Sequence, residues 1–153
     1  MKKKMLLAAL ITVSSAFALT GCGGGSKEVT YKDGTYEGKS SVYINEDEDS
    51  DEGNGYGVVT ITIKDGKITD CVYKTYEEDG TLKDEEYGKE DGEIANRDFY
   101  NKAQKALKAC DEYAAQLLEA EGDIDSVDAI SGATINYDHF KEGLKEALQQ
   151  AAE

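Results

Sequence analysis

Positions 57 to 76 show the clearest alternation of apolar and polar residues in the chain. Three apolar side chains share one face of the first half of this segment: Val59, Ile61 and Ile63. Asp65-Gly66 follows, a dipeptide that accepts the positive φ angles of a two-residue hairpin turn. The same alternation places residues of the return strand on two faces: Ile68 and Val72 on one, Cys71 and Tyr73 on the other. The segment therefore predicts an antiparallel hairpin with one buried face.

Two later segments repeat apolar residues at helical spacing. The first covers about residues 98–120, begins near Asn96 or Asp98 and ends before Gly122. The second covers about residues 137–151, with one apolar face formed by Tyr137, Phe140, Leu144, Ala147 and Leu148. A further strand is expected near residues 34–44, which are rich in aromatic and β-branched residues. The predicted fold class is α+β: an antiparallel β-sheet built on the 57–76 hairpin, packed against two amphipathic helices.

The N-terminus has the three parts of an export signal. Three lysines precede an apolar run that is too short to span a bilayer, and Leu19-Thr20-Gly21-Cys22 resembles a bacterial lipobox. This similarity implies a signal peptide over residues 1–21, lipidation of Cys22, and a glycine-rich tether over residues 22–33. A single domain then occupies residues 34–153. The alternative is an ordinary secretory signal in which Cys22 has no role.

The charge of the chain limits its partners. The 153 residues carry a net charge of −15, and cleavage after Gly21 would leave 14 basic against 32 acidic residues, a net charge of −18. No nucleic acid partner is expected, because phosphate backbones need clusters of lysine and arginine. Anionic headgroups would repel this surface, so the membrane would be held through acyl chains alone. The same charge disfavours tight non-covalent binding of an anionic cofactor.

The remaining cysteines, Cys71 and Cys110, allow two interpretations. In an exported protein they can form a disulfide between the predicted sheet and helix. Both also lie on apolar patterns, so two separate buried thiols are equally consistent with the sequence. Neither belongs to a Cys-x-x-Cys motif, which argues against a dithiol redox role.

The segment 46–52 is too acidic to pack, and we expect a solvated loop there. Asp47, Asp49 and Asp51 have the spacing that opens a calcium-binding EF-hand loop. Glu52 replaces the required glycine, and Val58 occupies the twelfth position. The sequence therefore does not match a calcium loop.

The chemistry of the chain is concentrated in the motif Asp128-Ala-Ile-Ser131-Gly-Ala-Thr134, just before the second helix. A threonine hydroxyl can form a phosphoester, and the small residues Gly132 and Ala133 leave the backbone accessible. The N–H groups and the positive dipole end of a following helix favour an anion there. The structural alternative is that Ser131 or Thr134 merely caps the helix. Asn136 is another possible cap, which would leave the Thr134 hydroxyl free.

This motif resembles the flavinylation motif of the FMN-binding domain family, in which FMN is joined through its phosphate to the threonine. The resemblance implies covalent FMN on Thr134 and a flavin transferase as a partner. Ser131, Gly132 and Ala133 would form the immediate setting of the attachment site. Asp128 would be recognised by the transferase or would shape the loop. Metal ligands are not implied, because the chain has one histidine and no metal-binding spacing.

The resemblance covers about residues 31–151. It includes Lys32-Asp-Gly-Thr-Tyr36, the tripeptide Gly55-Tyr56-Gly57, and the hairpin. The region after the hairpin departs from the family pattern, so the residues that contact the flavin ring are not indicated by the sequence. Tyr56 is a candidate for stacking on the ring, or a simple aromatic at the edge of a strand. His139 lies on a polar helix face, where a solvated side chain is expected and a cofactor contact is the alternative.

The resemblance implies an electron carrier rather than a substrate-specific enzyme. We expect a lipid-anchored flavoprotein on the outer face of the cell membrane, between a quinone-linked donor and an extracellular acceptor. The alternative is a binding or structural surface lipoprotein without flavin, in which the motif only caps a helix. A terminal reductase domain is disfavoured, because the sequence offers no acid–base set for a substrate.

Overall fold

The structure is a computed structural model that describes residues 29–47 and 53–152. The predicted signal peptide, Cys22 and the first part of the tether lie outside the described residues, as do Asp49, Asp51 and Glu52 of the acidic segment. In the part of the chain that is described, no group of three potential ligands is placed to bind a metal ion. No helix there is long and apolar enough to cross a bilayer.

A three-stranded antiparallel sheet forms one layer of the molecule. Its strands are β1 (Gly34–Lys39), β2 (Tyr56–Lys64) and β3 (Lys67–Tyr76), in the order β1-β2-β3. The predicted hairpin is confirmed, because Asp65 and Gly66 have φ angles of 52° and 73° and join β2 to β3. The first strand is shorter than expected. After it, the chain returns to the sheet only at Tyr43, which pairs with Gly55.

The alternation along β2 holds, since Val59, Ile61 and Ile63 are all buried. On β3 the prediction that Ile68 and Val72 share one face is wrong. Ile68 packs against the core although Val72 is exposed, because the pairing shifts between Thr62 and Ile63 and sets Ile68 opposite Ile63. The extra residue reverses the face of the strand beyond it.

Two helices form the second layer. They are α1 (Arg97–Glu119) and α2 (Thr134–Ala151), separated by a short 3₁₀ helix at Ile124–Ser126. α2 packs on β1 and β2, and α1 packs on β3, so both cover the same face of the sheet. The α+β prediction is therefore confirmed. Seven large side chains are fully buried between the layers: Tyr113, Phe140, Ile61, Ile63, Leu117, Leu144 and Val59.

The edge strand β1 is fastened to α2. Gly38 lies so close to the helix that an added Cβ would fall 1.9 Å from the carbonyl oxygen of Gly143. The backbone N–H of Lys39 donates to Glu146 Oε2 at 2.6 Å. Before β1, Tyr31 pairs with Ala152 at the end of α2. The edge of the sheet is thus covered by the helix.

Cys71 and Cys110 are two separate buried thiols in the structure. Burial raises the pKa of each thiol to about 12, so both remain protonated at neutral pH. Neither has the thiolate character that redox or nucleophilic chemistry requires.

Candidate functional site

The motif turns the chain sharply into α2. The N–H of Ala133 donates to the carbonyl oxygen of Ile130 at 3.0 Å, which closes a four-residue turn. Gly132 has φ 84°, the value required at the third position of a type II turn. A side chain at that position would be strained, so the glycine of the motif is explained by the turn itself.

Two tyrosines and a glutamine hold this loop. The Tyr113 hydroxyl accepts from the N–H of Ile130 at 2.9 Å and donates to the carbonyl oxygen of Ala133 at 3.1 Å. The Tyr137 hydroxyl donates to the carbonyl oxygen of Val127 at 2.9 Å. Gln116 accepts from the N–H of Asp128 at 2.8 Å. In the sequence Tyr113 appeared only as one member of an apolar helical stripe, so its role in positioning the loop was not predicted.

The start of α2 has no side-chain cap. Ala133 occupies the N-cap position, and Thr134 is the first helical residue. Within residues 29–47 and 53–152, no acceptor meets the N–H groups of Thr134, Ile135 or Asn136. Both capping alternatives are therefore wrong. Asn136 instead donates its side-chain N–H to the carbonyl oxygen of Ala106 at 2.9 Å, which fastens α2 to α1.

A cavity of about 460 Å³ opens beside this helix start, between α1, the end of β3 and the motif. Thr134 is exposed and lines it, together with Gly132 and Ala133. Three lysines also line it, and no aspartate or glutamate does: Lys83, Lys102 and Lys105. In a chain of net charge −15, this is a local excess of positive charge. Together with the helix dipole it favours an anion at Thr134.

One buried polar atom in the cavity wall lacks a partner. The hydroxyl of Thr75, at the end of β3, is the buried side-chain oxygen without a hydrogen bond in the described part of the chain. Burial raises the pKa of the neighbouring Cys110 thiol and a hydrogen-bond contact from Thr75 acts to lower it, but the thiol is a weak partner and the contact does not have the geometry of a full hydrogen bond. The Thr75 hydroxyl thus remains a buried polar group without a full hydrogen bond.

The segment after β3 brings Lys83 to the cavity. The chain reverses direction after Glu77, and the N–H of Lys83 donates to the carbonyl oxygen of Thr75 at 3.0 Å. The Lys83 ammonium donates to the carbonyl oxygen of Asn54 at 2.5 Å and lies 4.7 Å from the centre of the Tyr87 ring. Burial lowers the pKa of Lys83. In the sequence, the region after the hairpin was noted only as a departure from the family pattern, and Lys83 was not singled out.

The other predicted residues do not line the cavity. Ser131 and Asp128 are exposed and do not line it. Tyr56 stacks on Tyr76 with ring centres 5.4 Å apart, and the Lys39 ammonium lies 3.6 Å above its ring. By strand alternation, Tyr56 is on the face of the sheet opposite the buried residues.

His139 is buried rather than solvated, so that expectation is wrong. Its ring packs edge-on against Tyr43, with the ring centres 6.4 Å apart, and burial lowers its pKa. It does not line the cavity beside Thr134. The physical reason is that α2 rotates this side chain toward Gly57 at the start of β2, where an added Cβ would come within 2.9 Å of it.

The site is thus a helix start without a side-chain cap that opens into a cavity with apolar and cationic walls. A sequence model of the FMN-binding domain matches residues 53–149 of the chain. The protein therefore belongs to the FMN-binding domain family, and it is a flavin-binding protein. No curated protein matches it.

The fold is similar to a crystal structure of a protein from Clostridium perfringens. The TM-score is 0.54 at 21% sequence identity, and the alignment covers 79% of this chain and 88% of that chain. At this level of identity the similarity concerns the fold alone.

The residues of the cavity fit FMN. Its volume lies within the roughly 300–1,000 Å³ usual for ligand pockets. The uncapped helix start and the lysines suit the phosphate. Phe99, Ala103 and Leu107 provide an apolar wall for a ring system.

Proposed function

We propose that the protein carries FMN covalently, through a phosphoester to the hydroxyl of Thr134, and relays electrons. The observation that supports this most strongly is the exposed Thr134 at a helix start without a side-chain cap. A threonine that served the helix would accept from a backbone N–H two or three residues later. Thr134 makes no such bond, so its hydroxyl is available to a flavin transferase.

The charge of the protein favours a covalent link over simple binding. A mature chain of net charge −18 repels an anion at long range, although the three lysines of the cavity attract it locally. With a phosphoester, retention of FMN no longer depends on the affinity of the protein for it. The phosphoester would also keep the cofactor in place outside the cell, where a dissociated flavin is lost by dilution.

Each part of the site has a task in this proposal. The N–H groups of Thr134, Ile135 and Asn136 and the ammonium of Lys105 stabilise the phosphodiester anion. The apolar side chains of α1 exclude water from the ring. Tyr113 keeps the motif in the geometry that exposes Thr134. When bound, FMN supplies chemistry in which one or two electrons are taken up or released.

The proposed location is the outer face of the cell membrane, with the chain attached through lipid on Cys22. Among the described residues, Tyr31 pairs with Ala152. The residues between Cys22 and Tyr31 allow a reach of roughly 30 Å at about 3.3–3.6 Å per residue. That distance lets the domain move between a quinone-linked donor in the membrane and an acceptor outside it.

The test is the intact mass of the protein produced with and without a flavin transferase. We expect the wild type to gain the mass of FMN less one water only when the transferase is present. Thr134→Val should gain nothing, because valine has the shape of threonine without the hydroxyl. Thr134→Ser keeps the hydroxyl, so it is the matched control and should still be loaded.

Loading of Thr134→Val would contradict the assignment of the site. Absence of any adduct on the wild type would instead favour the alternative of a surface lipoprotein without flavin. Turnover of a soluble substrate by the isolated protein, in preference to electron exchange, would favour a terminal reductase.

A further inference from the structure

Lys83 is an unusual cation in this molecule. It is half-buried and lines the cavity, yet no carboxylate of the described residues forms an ion pair with it. Glu77 is near enough to raise its pKa, but burial has the larger, opposite effect. The partners of its ammonium are a carbonyl oxygen and an aromatic ring.

The position of Lys83 is fixed by the backbone. Its N–H donates to the carbonyl oxygen of Thr75, and the neighbouring residues Tyr76 and Leu82 form an antiparallel bridge. Lys83 and Thr75 therefore enter the cavity side by side from the wall formed by β3 and the segment after it. Both residues line the cavity. A cation on this wall suits a polar acceptor edge that gains negative charge.

The lysines nearer the motif are different. Lys105 is exposed, and its ammonium is 3.8 Å from the position of a Cβ built on Gly132, so it lies beside the attachment loop. Lys102 is also exposed. These two suit the phosphate at Thr134. Lys83 is held on the cavity wall next to β3, whereas the phosphate would be attached at the motif.

We propose that the ammonium of Lys83 raises the reduction potential of the flavin in this cavity. This inference rests on the proposed function. Reduction by a quinol-type donor would supply the ring with two electrons and one proton, the second proton of the quinol would pass to solvent, and the ring would thereby gain one negative charge. A fixed ammonium stabilises that charge, and its effect is larger in a partly desolvated cavity than in water. Lys83 thus favours the reduced over the oxidised cofactor.

The experiment compares four flavin-loaded proteins: the wild type, Lys83→Met, Lys83→Arg and Lys105→Met. Intact mass first establishes that each carries the adduct. The midpoint potential is then measured by reduction with dithionite against a reference dye, at low ionic strength. For Lys83→Met we expect at least a tenfold lower ratio of reduced to oxidised cofactor at a given potential. For a two-electron couple this is a shift of about 30 mV to more negative values.

Lys83→Arg keeps the charge and should retain the wild-type potential. Lys105→Met should shift it less than Lys83→Met does, because Lys105 is exposed to solvent. An unchanged potential in Lys83→Met would overturn the inference, and so would equal shifts in both methionine variants. Failure of Lys83→Met alone to load would overturn it as well, since Lys83 would then serve attachment. An adduct missing from the wild type contradicts the proposed function itself.

Discussion

The two helices of this protein begin in opposite ways. At the start of α1, the Asn96 side chain accepts from the N–H of Phe99 at 3.0 Å, and Asp98 places a negative charge in the first turn. At the start of α2, Ala133 offers no side-chain acceptor, and the first turn contains no acidic residue. Both helices belong to one small domain, and both pack on the same face of the sheet.

The difference shows which helix start is complete without a ligand. An aspartate or asparagine before α2 would satisfy the free N–H groups, as Asn96 does for α1, at the expense of the anion site. The sequence instead places small residues there and lysines in the adjoining cavity. The missing cap is therefore a property of the site rather than a defect of the helix.

The largest effect is expected from Tyr113→Phe. This variant tests how the motif loop is held, separately from the start of α2. The substitution keeps the ring in the core but leaves the N–H of Ile130 and the carbonyl oxygen of Ala133 without their partner. We expect a loss of about 1–3 kcal/mol in the free energy of unfolding, measured with urea, because these groups are largely buried. Loading of Thr134 should also slow several-fold, since the turn is no longer held.

Asn96→Ala is the matched control at the other helix. It should cost about 1 kcal/mol, the usual effect of removing an N-cap, and leave loading of Thr134 unchanged. If Tyr113→Phe lost stability but loaded at the wild-type rate, the assigned role of Tyr113 in presenting the motif would be wrong.

A smaller effect, of opposite sign, is expected from Thr134→Asp in protein made without a transferase. A carboxylate there meets the free N–H groups and the positive dipole end of α2, and should stabilise the fold by about 0.3–1 kcal/mol at low ionic strength relative to Thr134→Asn. Salt should weaken the gain. Asp98→Asn at α1 should lose a similar amount. Equal stability of Thr134→Asp and Thr134→Asn would show that the α2 start does not attract anions.

The smallest effect is a loss of folding stability at acidic pH. It arises from α2, because that helix contains the buried His139. Burial lowers the pKa of His139 below its ordinary value near 6.5. Between these two pKa values the unfolded chain binds more protons than the folded one, so stability falls as the pH drops below about 6.5. His139 is the single histidine of the chain. The urea midpoint should therefore decline between pH 7.5 and 5.5 in the wild type and stay nearly constant in His139→Gln.

Glu142 provides a check on that window. Hydrogen bonds from Ser41 lower the pKa of its carboxyl group, so its contribution is present above pH 4.5 and is lost only at more acidic pH. A decline in His139→Gln as steep as that of the wild type above pH 5.5 would contradict the assignment to His139.

Much of the fold could be predicted from local patterns. Alternation and the Asp65-Gly66 turn defined the hairpin, and Asn96 marked the start of α1. α2 began three residues earlier than predicted, because a helix start was expected to carry its own cap. The face of Ile68 was mispredicted because a bulge leaves no clear mark in the sequence.

Less of the site could be predicted. The motif singled out Thr134 as the candidate attachment residue, because a turn and a helix start are local features. Lys83 and Tyr113 reach the site only through the tertiary fold. One depends on the chain reversing after β3, and the other on a hydroxyl at the end of a core tyrosine. Tyr56 was a plausible ring contact by proximity in sequence to Gly57, but strand alternation sets its ring on the other face of the sheet.

Fragment mass spectrometry of the protein isolated from its native cells shows directly whether Thr134 carries the cofactor. We predict a peptide spanning the motif that carries FMN less one water, with the added mass on Thr134. An unmodified motif peptide in that protein, or an adduct located on Ser131 instead, would contradict covalent attachment at Thr134.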